Sequence, residues 1–297
     1  MKQICRLCPR ECITDRENGA PGYCQAPAEF VAARASLHMW EEPSISGTRG
    51  SGTVFFSGCN LRCVFCQNRD ISRAATGKRL SQEELARVLF ALRDAGAHNI
   101  NLVTPTPYAH LLVPLLREVK PKLGIPVVYN CGGYESVEAL RALEGLVDIY
   151  LPDIKYFDEE IAKQYSQAPN YFPKAMEALA EMLRQTGAPV INGEGLLQRG
   201  TVVRHLVLPG HRKDSLEVLN RLAARFGTHG FLLSLMSQYT PDFALDCPYP
   251  SLRRKVTTFE YDNVLQKAVE LGFQGYLQDR GSASASFTPD FEERSFL

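Results

Sequence analysis

Apolar positions along this chain alternate between a period near two residues and a period near 3.6, the marks of strands and helices. The run Thr53-Val54-Phe55-Phe56-Ser57 reads as a buried strand that passes directly into a polar loop. Ser81-Gln82-Glu83-Glu84 has the pattern of a capping box, opening a helix with Leu85, Val88, Leu89 and Leu92 on one face and Gly96 at its end. A strand over 99–103 leads through Thr104-Pro105-Thr106-Pro107 to a helix ending near Lys120. The strand Val127-Val128-Tyr129-Asn130-Cys131 stops at Gly132-Gly133, a helix covers 136–143, and a fourth strand covers 147–151. Met176, Leu179, Ala180 and Leu183 share a helical face, and a strand over 202–208 ends at Pro209-Gly210. Leu216, Leu219, Leu222, Ala223 and Phe226 mark a further helix before a strand at 231–235.

Six strand–helix units in succession predict an α/β fold, a parallel sheet with helices outside, in the form of a partial (β/α)6 barrel. Functional side chains on such folds sit at the C-terminal ends of the strands. The organisation expected is a Cys-rich N-terminal module (1–28), a connecting segment (29–52), the barrel (53–240) and a C-terminal extension (241–297). In that extension, the proline- and aromatic-rich stretch 241–251 is expected to cross the barrel and 259–272 to form one helix. Gly281-Ser282-Ala283-Ser284-Ala285-Ser286 reads as a loose tail.

Lys plus Arg and Asp plus Glu are equal at 33 each, which leaves no nucleic-acid or membrane footprint. The N-terminus has no signal-peptide core, and no apolar run approaches the ~20 residues that span a bilayer. Nine cysteines, seven of them in two tight groups, suit metal binding in a reducing cytoplasm better than disulfides.

The chemistry concentrates in Gly58-Cys59-Asn60-Leu61-Arg62-Cys63-Val64-Phe65-Cys66, spaced C-x3-C-x2-C. An iron–sulfur cube takes four thiolates, and three from one loop leave one iron open for chemistry. A zinc site, a closed electron-transfer cluster completed from elsewhere, and a chance spacing are the alternatives. A second group, Cys5, Cys8, Cys12 and Cys24, offers four thiolates, which suits structural zinc first and an auxiliary iron–sulfur cluster second. Unligated thiols in a loop-rich cap are the remaining alternative.

The C-x3-C-x2-C spacing, with Phe65 before the last cysteine, resembles the signature of the radical S-adenosylmethionine (SAM) enzymes. More narrowly, it resembles the branch typified by the pyruvate formate-lyase-activating enzyme. The resemblance implies a [4Fe–4S] cluster whose open iron chelates SAM and whose electron splits it, giving a 5′-deoxyadenosyl radical that abstracts hydrogen. Asp153-Ile154-Lys155 resembles that branch's D-x-K element, and Val203-Arg204-His205-Leu206 its fifth-strand segment. The resemblance therefore implies SAM contacts for Asp153, Lys155, Arg204 and Asn130. It also implies them for Phe65 near adenine and for Gln238 at a position the branch fills with histidine. His205, on the opposite strand face, reads as a packed histidine. The branch's glycine-glycine-glutamate element is replaced by Thr104-Pro105-Thr106, and its aspartate-threonine pair by Asn130-Cys131.

Two partners are implied, a reductant such as a flavodoxin or ferredoxin and a glycyl-radical enzyme whose glycine loses the hydrogen. A small metabolite or another protein side chain as substrate, and a non-catalytic iron–sulfur electron carrier, are the competing readings.

Overall fold

A computed structural model describes residues 3–277, so the run at 281–286 lies outside the described residues. The strands in chain order are β1 (Gln3–Ile4), β2 (Ile13–Thr14), β3 (Phe30–His38), β4 (Ser51–Phe56), β5 (Lys78–Leu80), β6 (Ile100–Val103), β7 (Val127–Cys131), β8 (Ile149–Pro152), β9 (Val190–Ile191), β10 (Leu197–Leu206), β11 (Leu232–Met236) and β12 (Gly275–Leu277). The α-helices are α1 (Pro43–Ser46), α2 (Arg69–Ser72), α3 (Gln82–Asp94), α4 (Ala109–Leu123), α5 (Val137–Ala142), α6 (Glu159–Ser166), α7 (Tyr171–Thr186), α8 (Arg212–Phe226) and α9 (Thr258–Leu271).

Every residue of β4, β6, β7 and β8 is buried. That is the pattern of parallel strands covered on both faces. Along the sheet the order is β12-β11-β10-β8-β7-β6-β4-β3-β5. The strands from β4 to β12 on this path pair in parallel, while β3 runs antiparallel to β4, and β5 antiparallel to β3. The six strand–helix units expected from periodicity are thus present as a partial barrel. β3 lies within the stretch read as a connector: its nine residues extend the sheet beyond β4.

Helix α3 starts where the sequence pattern places it. Ser81 Oγ accepts from the Glu84 N–H at 3.1 Å and Glu84 Oε2 accepts from the Ser81 N–H at 2.8 Å. Its four expected apolar residues, Leu85, Val88, Leu89 and Leu92, are buried against the sheet. Helix α6 was not expected. Asp158 caps it, accepting from the Ile161 N–H at 2.9 Å, and it delivers Ser166 to the barrel mouth. The stretch around 241–251 packs beside α6 through Tyr249, whose ring centroid is 4.8 Å from that of Tyr165 and whose hydroxyl donates to the Gln164 carbonyl.

One segment enters the barrel from the end opposite the cysteine loop. Between β3 and β4 the chain turns through α1, and Ile45 packs in the interior with Val128, Ile149, Leu151, Leu197 and Val202. Ile45 is fully buried, so Ile45→Ala removes transfer energy and leaves a cavity under the sheet. The variant is expected to lose about 2–5 kcal/mol, read as a lower denaturant midpoint at unchanged slope.

Candidate active site

The cysteine loop begins where β4 ends. Gly58 has φ +83°, and a Cβ there would stand 2.5 Å from the Cys24 carbonyl oxygen, so only glycine lets the N-terminal module approach. The loop is tied to α6 by the Arg62 N–H on the Ser166 carbonyl (3.1 Å) and the Val64 N–H on the Tyr165 carbonyl (2.8 Å). Cys59 Sγ accepts from the Leu61 N–H at 3.4 Å, Cys63 Sγ lies 2.9 Å from Ser166 Oγ, and Cys66 Sγ lies 3.7 Å from Ser72 Oγ. All three thiols line one cavity of about 250 Å³. Burial pushes Cys59 up and Cys66 up to about 11, which favours the neutral thiol at these two positions in the absence of metal.

Among the described residues no three His, Cys, Asp or Glu side chains converge on a single-ion site. A cube spreads its metals over four corners, so its ligand sulfurs do not need to meet at one atom. Three free thiols on one loop, facing one cavity with a hydroxyl or amide beside each, fit such a cluster. Cys131 lines the same cavity, but its principal electrostatic neighbours are Glu135, Asp153 and Arg204, not the three loop thiols.

Facing the loop across the cavity is a charged layer largely shielded from solvent. Strand register makes it: an isolated parallel bridge joins Asp153, just past β8, to Arg204 in β10. Arg204 Nε donates to Asp153 Oδ1 at 2.8 Å, its NH2 donates to Asn130 Oδ1 at 2.6 Å, and Lys155 Nζ donates to Asp153 Oδ2 at 2.6 Å. Burial alone would raise the Asp153 carboxyl, but the Arg204 and Lys155 charges outweigh it and hold it below its usual range. Burial likewise pulls Lys155 and Arg204 down, and the carboxylates more than reverse this. Tyr171 fixes the turn, its hydroxyl accepting from the Lys155 N–H (3.0 Å) and lying 2.8 Å from the Asp153 carbonyl.

The structure therefore brings Asp153, Lys155, Arg204 and Asn130 together on the cavity that the three cysteines line. Phe65 and Gln238 line it too, Phe65 packing edge-on against Tyr239 at 5.9 Å between centroids. His205 points away, with Nδ1 2.6 Å from the Ile154 carbonyl oxygen, and burial lowers it to about 4. Thr104 at the cavity wall has φ +58°, a conformation that a β-branched residue adopts only under strain.

Sequence reasoning missed three contributors. Glu41 reaches Arg204 from 163 positions away, Oε2 to NH1 at 3.4 Å, and accepts from Asn101 Nδ2 at 2.9 Å. The signal available was a pair of glutamates in a short segment otherwise poor in charge. Ser166 needed the unexpected helix. Glu135 is buried under the site, accepting from Thr106 Oγ1 at 2.9 Å and from the Tyr129 hydroxyl at 3.2 Å.

The N-terminal cysteines sit directly against the cysteine loop. Arg16 NH2 donates to Cys24 Sγ at 3.2 Å and to Cys5 Sγ at 3.6 Å, and the Tyr23 N–H donates to Cys12 Sγ at 3.4 Å. Burial raises Cys8 to about 12 and raises Cys24 as well. Arg10 stacks on Tyr23 at 3.8 Å and donates to the Asn60 carbonyl at 2.9 Å, joining the module to the loop. None of the four thiols is in a disulfide.

Fold and site together define a parallel α/β partial barrel carrying a three-thiol loop over a buried ion-pair layer. The family model of the radical SAM superfamily matches residues 53–223, more than half of the chain, and the chain belongs to that superfamily. Its members use a [4Fe–4S] cluster and SAM. The chain is 30% identical over 271 residues to the uncharacterized protein MJ0674 of Methanocaldococcus jannaschii, covering 89% of this chain and 74% of that one. It is 31% identical over 130 residues to the pyruvate formate-lyase-activating enzyme of Clostridium pasteurianum, covering 42% and 54%. A radical SAM methyltransferase structure from Sphaerobacter thermophilus superposes with a TM-score of 0.52 at 16% identity, over 77% of this chain and 66% of that one. No helix among the described residues is long and apolar enough to cross a membrane.

Burial raises Glu135 from 4.5 to about 7, against the hydrogen bonds that favour its charged form. A carboxyl raised on folding contributes stability that is full below its unfolded pKa and is lost as pH climbs through the folded one. The chain is therefore expected to lose roughly 3 kcal/mol of stability from this group between about pH 4.5 and 7. In Glu135→Gln, denaturant titrations at the two ends of that window should differ by correspondingly less than in the wild type.

Proposed function

We propose that this chain is an activase that removes a hydrogen atom from a glycine of a partner glycyl-radical enzyme. The observation that carries the reading is the local similarity to a pyruvate formate-lyase-activating enzyme, joined to three loop thiols and a charged layer on one cavity. In this proposal Cys59, Cys63 and Cys66 ligate the [4Fe–4S] cluster and leave one iron for SAM. Asp153, Lys155 and Arg204 bind the polar groups of SAM, Asn130 braces Arg204, and Phe65 and Gln238 bound the nucleoside. Bound together, cluster and SAM supply a 5′-deoxyadenosyl radical, so no side chain is assigned as acid or base. The apolar wall of Phe55, Leu61, Phe65 and Val103 excludes water from that chemistry. The electron comes from a reductant such as a flavodoxin or ferredoxin. Cys5, Cys8, Cys12 and Cys24 hold a second metal group, structural zinc or an auxiliary cluster. Zinc requires the four side chains to draw in on one ion.

A second reading, a small-metabolite substrate, is favoured by Trp40, which lines the cavity while 63% exposed and so stands at an opening of it. One anaerobic experiment tests these readings. The full chain, reconstituted with iron, sulfide, reductant and SAM, is expected to form 5′-deoxyadenosine, and Cys63→Ser is expected to form none. Addition of a glycyl-radical enzyme is then expected to produce a glycyl-radical EPR signal. Deoxyadenosine without that signal sinks the activase reading, and a fully loaded wild type that makes no deoxyadenosine points to an electron carrier.

A further inference from the structure

The segment between β3 and β4 does more than plug the barrel. With Ile45 anchored in the interior, the chain places Glu41 on the cavity, its side chain only 10% exposed. Glu41 Oε1 accepts from Asn101 Nδ2 at 2.9 Å and from Asn130 Nδ2 at 3.3 Å, while Oε2 meets Arg204 NH1 at 3.4 Å. The next residue, Glu42, is 8% exposed, has Arg204 as its principal cationic neighbour, and leaves Oε2 without a hydrogen-bond partner.

The charges at this layer do not balance. Asp153, Glu41 and Glu42 present three carboxylates to two cations, Arg204 and Lys155. Lys155 is engaged with Asp153, and Arg204 directs its two shorter hydrogen bonds to Asp153 and Asn130. Glu41 receives only the longer third contact. Burial raises both glutamates against the pull of Arg204, which favours their protonated forms until a cation enters the cavity. A buried excess of one negative charge is costly unless a proton or a cationic ligand compensates it. SAM carries that compensation, since its sulfonium and ammonium groups outweigh its carboxylate by one positive charge. S-adenosylhomocysteine has the same skeleton without the sulfonium and carries no net charge.

We infer that Glu41 is the counter-charge that makes this cavity selective for the sulfonium form of the nucleoside over its neutral thioether. The selectivity comes from a residue outside the strand ends, delivered by the segment ahead of the first parallel strand. It acts through the field in a low-dielectric cavity, where one uncompensated charge weighs far more than in water.

The test compares two ligands on the anaerobically reconstituted full chain by equilibrium dialysis. Glu41→Gln keeps the shape and the hydrogen bonds to the two asparagines but removes the charge and the acceptor for Arg204. It is expected to weaken SAM binding about tenfold or more while changing S-adenosylhomocysteine binding by less than about threefold. Glu41→Asp, which keeps the charge, is expected to retain most of the wild-type ratio of the two affinities. Damage to the fold would lower both affinities together, so the ratio isolates the charge. An unchanged ratio in Glu41→Gln overturns the inference. A wild type that binds neither ligand overturns the SAM assignment itself, and the inference with it.

Discussion

Arg204 is the point on which the cavity depends. It stands in β10 opposite Asp153, and its guanidinium touches groups from three other elements: the turn after β8, the end of β7 and the segment after β3. A planar fork of donors suits this role, because each nitrogen engages a different acceptor without a change of rotamer. Remove it, and Asp153, Glu41 and Glu42 become buried carboxylates with one lysine among them. Uncompensated burial of that kind costs several kcal/mol per group. Such a network is weak support for stability, and the proposed function gives it a charged ligand to bind.

The other half of the site has a mechanical basis. The cysteine loop has little secondary structure of its own and is held from two sides. The N-terminal module presses on it through Arg10, Tyr23 and the close approach of Cys24 to Gly58. From the other side, α6 accepts two of its backbone donors and sets Ser166 beside Cys63. Metal in the N-terminal cysteines would stiffen the first of these supports, which gives a four-thiol cap a reason to sit there. The two cysteine groups are therefore neighbours in space, although the chain between them runs through a long antiparallel strand.

Membership in the superfamily accounts for the cofactors, while the particular substrate rests on what lies beyond the cluster and the ion pairs. There the chain presents a strained Thr104, an Asn130-Cys131 pair, and Trp40 and Glu41 from the segment after β3. The first two stand where the branch that the sequence resembles has a glycine-glycine-glutamate element and an aspartate-threonine pair. They change the electrostatics of the cavity without changing the barrel around it.

The parallel strands, the capped helix at Ser81 and the three-cysteine loop were legible in the sequence because each is a local pattern. Burial on both faces makes continuous apolar runs, a cap needs residues three apart, and a cluster loop needs thiols within a few positions. Asp153, Lys155 and Arg204 were legible as charges at apolar strand ends, which ask for a partner without naming it. Their being each other's partners was decided by the register of β8 against β10, a relation between positions 51 residues apart. The strand β3 was obscured because its run Phe30-Val31-Ala32-Ala33-Arg34 lacks clean alternation, and pairing with β4 on one side and β5 on the other makes it a strand. Glu41 left no local sign of its destination. Periodicity reports which face of an element is buried, whereas only the tertiary arrangement of the partial barrel decides which distant side chain is found there.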